Sequence, residues 1–197
     1  MTEQKNGPWT VHSTATSFEN PWLRIETSEV SHPDGSPGIY GVVRFANIAC
    51  GVLPIDDEGC TWLVGQHRFP FDAYSWELPE GGGKHSVDPQ VSTMRELEEE
   101  TGWTAAHMLP LGKWHLSNSV TDEVAFGYLA WGLSFVGASP EPSEALSVER
   151  VPFADLAARV RSGDISDAFT HLMVMSALDM ARRGDVPEHI RPFLLAD

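Results

Sequence analysis

A chain of 197 residues fits one ordinary domain with room for a small appendage, and its 42% hydrophobic content suffices for a real core. Thirteen Lys and Arg against 28 Asp and Glu give a formal charge of −15, which would repel nucleic acid and anionic membranes and let an anionic substrate bind only beside a local cation. No apolar run is long enough to span a bilayer and the N-terminal MTEQKNGPWT lacks the basic-then-apolar pattern of a secretion signal, so the sequence predicts a cytoplasmic protein.

In chain order, residues 9–46 carry short runs of β character, 22–30 and 39–45, around the turn-rich segment Pro33-Asp34-Gly35-Ser36-Pro37-Gly38. They predict a small N-terminal β-hairpin unit, bounded at 1–46, before a main domain at 47–197. Runs at 48–54 and 61–66 flank Asp56-Asp57-Glu58-Gly59 and predict a second hairpin. Cys50 and Cys60 lie in these apolar stretches without a His or Cys at metal-ligand spacing, so they read as buried thiols rather than redox or zinc residues. Two further strand-like runs cover 109–116 and 124–133.

Helices begin where a cap residue precedes a periodic run. Asp88-Pro89 opens the first, since the missing N–H of proline costs nothing there, and Gly102 closes it. A second covers 152–161 before Gly163, and a third 167–183 before Gly184. In the third, Phe169, Leu172, Met173, Ala177 and Met180 recur at helical spacing as a core stripe. The alternation implies an α/β protein with helices packed on a mixed sheet, without internal repeats or low-complexity segments.

The first helix carries the informative chemistry. Residues 81–103 join a glycine-rich loop, Gly81-Gly82-Gly83, to a helix in which Glu96, Glu99 and Glu100 fall at i, i+3 and i+4 and share one face, while Val91, Met94 and Leu97 form another. A solvated acidic face is the plain alternative. Energetics argue against it: glutamates crowd the last turns, where the helix dipole disfavours each anion by about 0.3–1 kcal/mol, and the Glu96/Glu100 pair adds repulsion of about 0.2–0.5 kcal/mol. A divalent cation removes the conflict, because hard ions take carboxylate and carbonyl oxygens and keep sites open for water and phosphate. Arg95, four residues before Glu99 in the less favourable order for helix stability, suits a role in orienting that carboxylate.

These residues resemble the Nudix box: a glycine, five residues, a glutamate, seven residues, then Arg-Glu-apolar-any-Glu-Glu-any-Gly-apolar. Gly81, Arg95, Glu96, Leu97, Glu99, Glu100, Gly102 and Trp103 match at the required offsets, and Val87 stands where the first glutamate belongs. The resemblance implies an α/β/α sandwich with a mixed sheet, and Glu96, Glu99, Glu100 and the main-chain carbonyl of Glu80 as ligands of Mg²⁺ or Mn²⁺. The first glutamate is a supporting residue in that family, so Val87 is compatible with activity. Gly65-Gln66-His67-Arg68 followed by Trp76-Glu77-Leu78-Pro79-Glu80-Gly81-Gly82 is similar to the subgroup that hydrolyses ADP-ribose and other nucleoside diphosphate sugars, which also has an N-terminal β unit. The likeness is strong over 61–103 and looser over 20–60 and 109–180.

What the resemblance implies is metal-dependent attack of water on a pyrophosphate, giving a nucleoside monophosphate and a sugar phosphate. Arg68 is then a contact for substrate phosphate, or else a surface arginine; Trp9 and Trp22 lie where relatives place aromatics against the base, or else serve packing. The subgroup's general base is a loop glutamate, for which Glu123 and Glu144 are equal candidates, either of which could be a solvated loop acid. Two other readings stay open: a Nudix module that binds a nucleotide sugar as a non-catalytic sensor, against which the intact glutamates argue, and a hydrolase of another diphosphate such as a nucleoside triphosphate or coenzyme A. No basic DNA-reading unit is evident, so a small-molecule substrate and no nucleic-acid or membrane partner are expected. The subgroup also implies a homodimer in which the N-terminal unit crosses to its partner's site; a unit of two or three strands is too small to bury a core alone.

Overall fold

The computed structural model describes residues 3–138 and 145–196. Four strands open the chain, β1 (Gln4–Asn6), β2 (Trp9–Glu19), β3 (Leu23–Ser31) and β4 (Pro37–Phe45), and form an antiparallel sheet in that order. The expected turn forms between β3 and β4: Asp34 Oδ1 accepts from Ser36 N at 2.9 Å and Gly35 adopts φ 86°. Asn20 Oδ1 accepts from the backbone N–H of Trp22 and Leu23 and so closes the β2–β3 turn. Val30 is the only buried residue of these four strands among the described residues.

The remaining elements are β5 (Asn47–Pro54), β6 (Cys60–Arg68), a 3-10 turn (Phe69–Phe71), β7 (Ala73–Glu77), β8 (Glu80–Lys84), α1 (Pro89–Thr101), β9 (Trp103–His115), β10 (Val124–Phe135), β11 (Ser147–Pro152), α2 (Phe153–Ser162), α3 (Ala168–Arg183) and α4 (Arg191–Leu194). One sheet has the order β8-β5-β10-β9, with β5 and β10 parallel; another has the order β11-β6-β7. The second predicted hairpin is therefore not one. Both edges of β5 are taken by β8 and β10, so β6 leaves the Asp56–Gly59 turn and pairs with β7 and β11. The glycine-rich loop is also a strand: Gly81, Gly82 and Gly83 pair with Cys50, Ala49 and Ile48, since a backbone ladder needs no side chains.

Alternation along the sheet decides which helix sits where. A Cβ on Gly51 would come within 2.7 Å of Phe169 and 2.8 Å of Met173 on α3, whereas one on Gly83 would meet Ser92 of α1 at 2.8 Å and Cys50 Sγ at 2.9 Å. The two helices thus cover opposite faces, giving an α/β/α sandwich with a mixed sheet. Its main core joins Leu53, Leu63, Leu78, Leu129 and Phe153 to Phe169 and Met173. The buried stripe of α3 is Phe169, Met173, Val174, Ala177, Leu178 and Ala181; Leu172 and Met180 flank it. On α1 the expected apolar face is narrower than the spacing suggested, because Val91 is 61% exposed while Leu97 is fully buried. Six residues at 3.6 per turn place those two about 120° apart, too far for one contact face.

Cys50 and Cys60 are buried and unpaired by disulfide, and burial pushes the Cys50 thiol up to about 11. The N-terminal sheet joins the sandwich through residues 119–122. Val43 N donates to Val120 O at 2.9 Å, Phe45 N to Asp122 Oδ1 at 3.0 Å, and the Tyr40 hydroxyl to Ser119 O at 2.8 Å. No described helix is long and apolar enough to cross a membrane.

Candidate active site

Helix α1 is fixed at both ends by its sequence. Asp88 Oδ1 accepts from Gln90 N at 2.8 Å, Pro89 opens the first turn, and Gly102, at φ 78°, closes the last with its N–H on Glu98 O. Between those caps Glu96 and Glu100 are buried and Glu99 is half-buried, while Glu98 points to solvent. The three carboxylates singled out by spacing therefore do share the inner side of the helix, and the fourth glutamate does not.

That inner side lies along the start of β8. Glu80 N donates to Glu100 Oε2 at 3.1 Å, and a Cβ at Gly81 would collide with the Glu96 carboxylate, so only glycine permits this approach. Arg95 completes the seam: Nη1 donates to Glu99 Oε2 at 2.5 Å, and Nη2 to Glu96 Oε1 at 2.5 Å and to Gly82 O at 2.8 Å. One guanidinium thus orients two of the three carboxylates against the main chain of β8. The oxygens gathered here are the hard ligands that Mg²⁺-like ions take, and the missing Cβ of Gly81 lets the Glu96 carboxylate lie against the main chain of β8. As they stand, no three Asp, Glu, His or Cys side chains among the described residues surround a common point, and Arg95 spans the gap between Glu96 and Glu99.

A second cluster lies on the other face of β8. The side chain of Glu80 alternates away from that of Gly81 and comes within 4.0 Å of Arg68 Nη2. Arg68, at the end of β6, grips the buried Glu77 of β7 with a fork, Nε to Oε1 at 3.0 Å and Nη2 to Oε2. Asp167, the cap of α3, accepts from Thr170 N at 2.6 Å and is raised from its ordinary value, chiefly by burial. Burial, then the charge of Asp167, holds Glu80 well above the carboxylate range, and its Oε2 is buried without a hydrogen-bond partner. Sequence reasoning missed Glu77 and Asp167 as members of a cluster: one looked like part of a motif string, the other like a helix cap.

The other candidates are scattered. Glu123 is half-buried just before β10, its acidity weakened by burial and then by Asp122, and no hydrogen bond links it to α1 among the described residues. Glu144 lies outside the described residues. Trp9 sits edge-on to Tyr40 at 5.4 Å and lines a cavity of about 740 Å³ together with Tyr40, Lys5, Arg44 and Asn118. Trp22, 69% exposed, lies at the opposite end of the N-terminal sheet, so the two tryptophans do not form one site.

The family description "NUDIX domain" matches residues 46–170, and "Nucleoside diphosphate sugar hydrolase N-terminal domain" matches 9–43. An ADP-ribose pyrophosphatase of Bacillus subtilis is 30% identical over 155 residues, 78% of this chain and 83% of that protein. An ADP-ribose pyrophosphatase of Mycobacterium tuberculosis is 32% identical over 78% of this chain and 75% of its own length. A CMP-5'-(N-acetyl-N-hydroxy-3-aminopropyl)phosphonate hydrolase of Streptomyces rubellomurinus is 27% identical over 91% and 86%. Among solved structures, one described as an ADP compounds hydrolase superposes with a TM-score of 0.81 at 18% identity, over 93% of this chain and all of that one, and shares the fold.

Proposed function

Since the chain belongs to the Nudix family and is a hydrolase of pyrophosphate bonds, we propose that it cleaves ADP-ribose or a related nucleoside diphosphate sugar into a nucleoside monophosphate and a sugar phosphate. The observation that carries this reading is the seam between α1 and β8, where Glu96, Glu99 and Glu100 stand beside the Glu80–Gly82 main chain under the control of Arg95. The relatives named for ADP-ribose support the substrate class.

In this reading Glu96, Glu99, Glu100 and the Glu80 carbonyl hold Mg²⁺ or Mn²⁺. When bound, such ions supply Lewis acidity, an activated water and charge neutralisation on the diphosphate. The chain's own residues do the positioning. Arg95 keeps Glu96 and Glu99 aimed and fixes Gly82 O. Arg68 presents a cation to substrate phosphate in a protein whose net charge opposes anions. Trp9, with Tyr40 beside it, offers an aromatic edge for a base, and Trp22 a second, exposed surface. Glu123 or Glu144 takes the proton from water. Residues 1–46 act as a dimerisation unit that completes the partner's substrate site.

A second reading keeps the chemistry and changes the leaving group to another nucleoside diphosphate derivative. The likeness to the phosphonate hydrolase, which spans 91% of this chain, favours it over a non-catalytic sensor. One experiment separates the readings: incubate the purified protein with Mg²⁺ or Mn²⁺ and a panel of nucleoside diphosphate sugars, dinucleotides and triphosphates, and identify the products. Cleavage of ADP-ribose into AMP and ribose phosphate is expected; a protein that binds the panel without turnover would be a sensor.

A further inference from the structure

Arg68 is held by one edge and open at the other. Nε and Nη2 form the fork to Glu77, whereas Nη1 makes no hydrogen bond among the described residues and the side chain is 34% exposed. Its anchor is unusual in the opposite sense: Glu77 is only 4% exposed, at the last position of β7, and shares a sheet face with Arg68 across the β6–β7 ladder. A buried ion pair is weak grounds for stability, because desolvating two charges offsets most of their attraction and an apolar pair of like volume would serve as well. What the fork does provide is orientation. A free arginine loses side-chain freedom on binding an anion, and one already locked through two parallel bonds does not.

We propose that Glu77 is a positioning residue for substrate: by clamping the Nε/Nη2 edge of Arg68 it aims the Nη1 edge at the diphosphate. This rests on the reading of Arg68 as the phosphate contact. Arg68 Nη2 also lies 4.0 Å from Glu80 Oε1, and the main-chain N–H of Glu80 is bonded to Glu100, so Glu80 links the two faces of β8. The guanidinium is thereby indexed to the carboxylate helix through two residues. Glu77 and Glu80 share one guanidinium, and the fork goes to Glu77, so Glu77 sets the orientation.

The test uses the full chain with Mg²⁺ and ADP-ribose as probe, comparing Glu77→Gln, Arg68→Ala and the double variant. Gln keeps the shape but offers a single acceptor, so the fork opens. Glu77→Gln is expected to raise KM about tenfold with kcat within about threefold, to leave the Mg²⁺ affinity of the substrate-free protein unchanged, and to add nothing to Arg68→Ala, the coupling expected of two groups acting as one. If Glu77→Gln does not fold, Arg68→Lys decides instead, since it keeps the charge without the fork and should raise KM similarly. A wild-type KM in Glu77→Gln or Arg68→Lys, or independent additive losses in the double variant, overturns the positioning role while leaving Arg68 as a contact. A wild-type KM in Arg68→Ala removes Arg68 from the site, and the proposal with it.

Discussion

The N-terminal sheet and the α/β/α sandwich are built on different principles. In the sandwich, Leu53, Leu63, Leu78, Leu97, Leu129 and Met173 are fully shielded, and the sheet is covered on both faces. In the N-terminal sheet the cross-strand contacts are polar: Thr14 with Ser28 at 2.8 Å, Ser17 with Thr27 at 2.7 Å, His12 with Ser31 at 2.8 Å, and Arg44 with Glu26 at 2.9 Å. Its large apolar side chains at Phe18, Trp22 and Ile39 face solvent. Backbone ladders give the sheet its shape, but hydrophobic burial, the dominant favourable contribution to folding, is almost absent there. The sandwich thus carries the buried core and the proposed site, while the N-terminal sheet leaves its large apolar side chains uncovered.

The largest expected effect tests the stability half of that contrast. Phe169 is 2% exposed, lies beneath Gly51 and meets Trp114 edge-on at 6.0 Å. Phe169→Ala should cost about 3–5 kcal/mol in chemical denaturation, the range for emptying an aromatic core position. Phe18→Ala, at a side chain 53% exposed, should stay within about 0.5 kcal/mol. Comparable costs at the two positions would erase the distinction between the regions.

The next effect concerns chemistry alone. Glu99→Gln or Glu100→Gln should lower turnover at least about a hundredfold with an unchanged denaturation midpoint, because each keeps the shape of a proposed metal ligand and removes its charge. Near-normal turnover in both would remove α1 from the active site.

How far these assignments could be read in advance depended on where the signal was local. The caps Asp88, Gly102, Asp167 and Gly184 are short-range devices, and the helices end where those residues stand. Glu96, Glu99 and Glu100 were legible because helical spacing alone puts them on one side. The second hairpin failed because its turn is local but the choice of strand partner is not: β5 is claimed by β8, thirty residues on, and by β10. Gly81–Gly83 looked like a loop because composition registers the absence of side chains, not the carboxylate pressed against them. The Arg68–Glu77 fork depends on a β6–β7 register that the exposed Phe69–Phe71 turn sets, which no pattern along the chain announces.

A smaller effect addresses the N-terminal sheet. A chain beginning at Ala46 should remain folded, because β5 and everything after it carry the core; the intact chain is expected to be dimeric, and the shortened one monomeric with substrate binding about tenfold weaker. Light scattering and calorimetric titration with ADP-ribose measure both. A truncated chain that stays dimeric and binds normally would make the sheet an ornament of its own subunit.

The smallest expected effect falls at the one box position that departs from the pattern. Val87 precedes the cap of α1 and is 37% exposed, so a glutamate there would reach solvent without burying charge. The cation nearest the carboxylates, Arg95, is already engaged by Glu96, Glu99 and Gly82 O. An added carboxylate would gain the modest attraction of the helix N-terminus, about 0.3–1 kcal/mol. Val87→Glu should accordingly change kcat/KM by less than about tenfold in either direction. Steady-state kinetics on ADP-ribose with Mg²⁺ measure it beside the wild type. A gain of a hundredfold or more would mean that the natural chain is a weakened hydrolase closer to a nucleotide-sugar sensor.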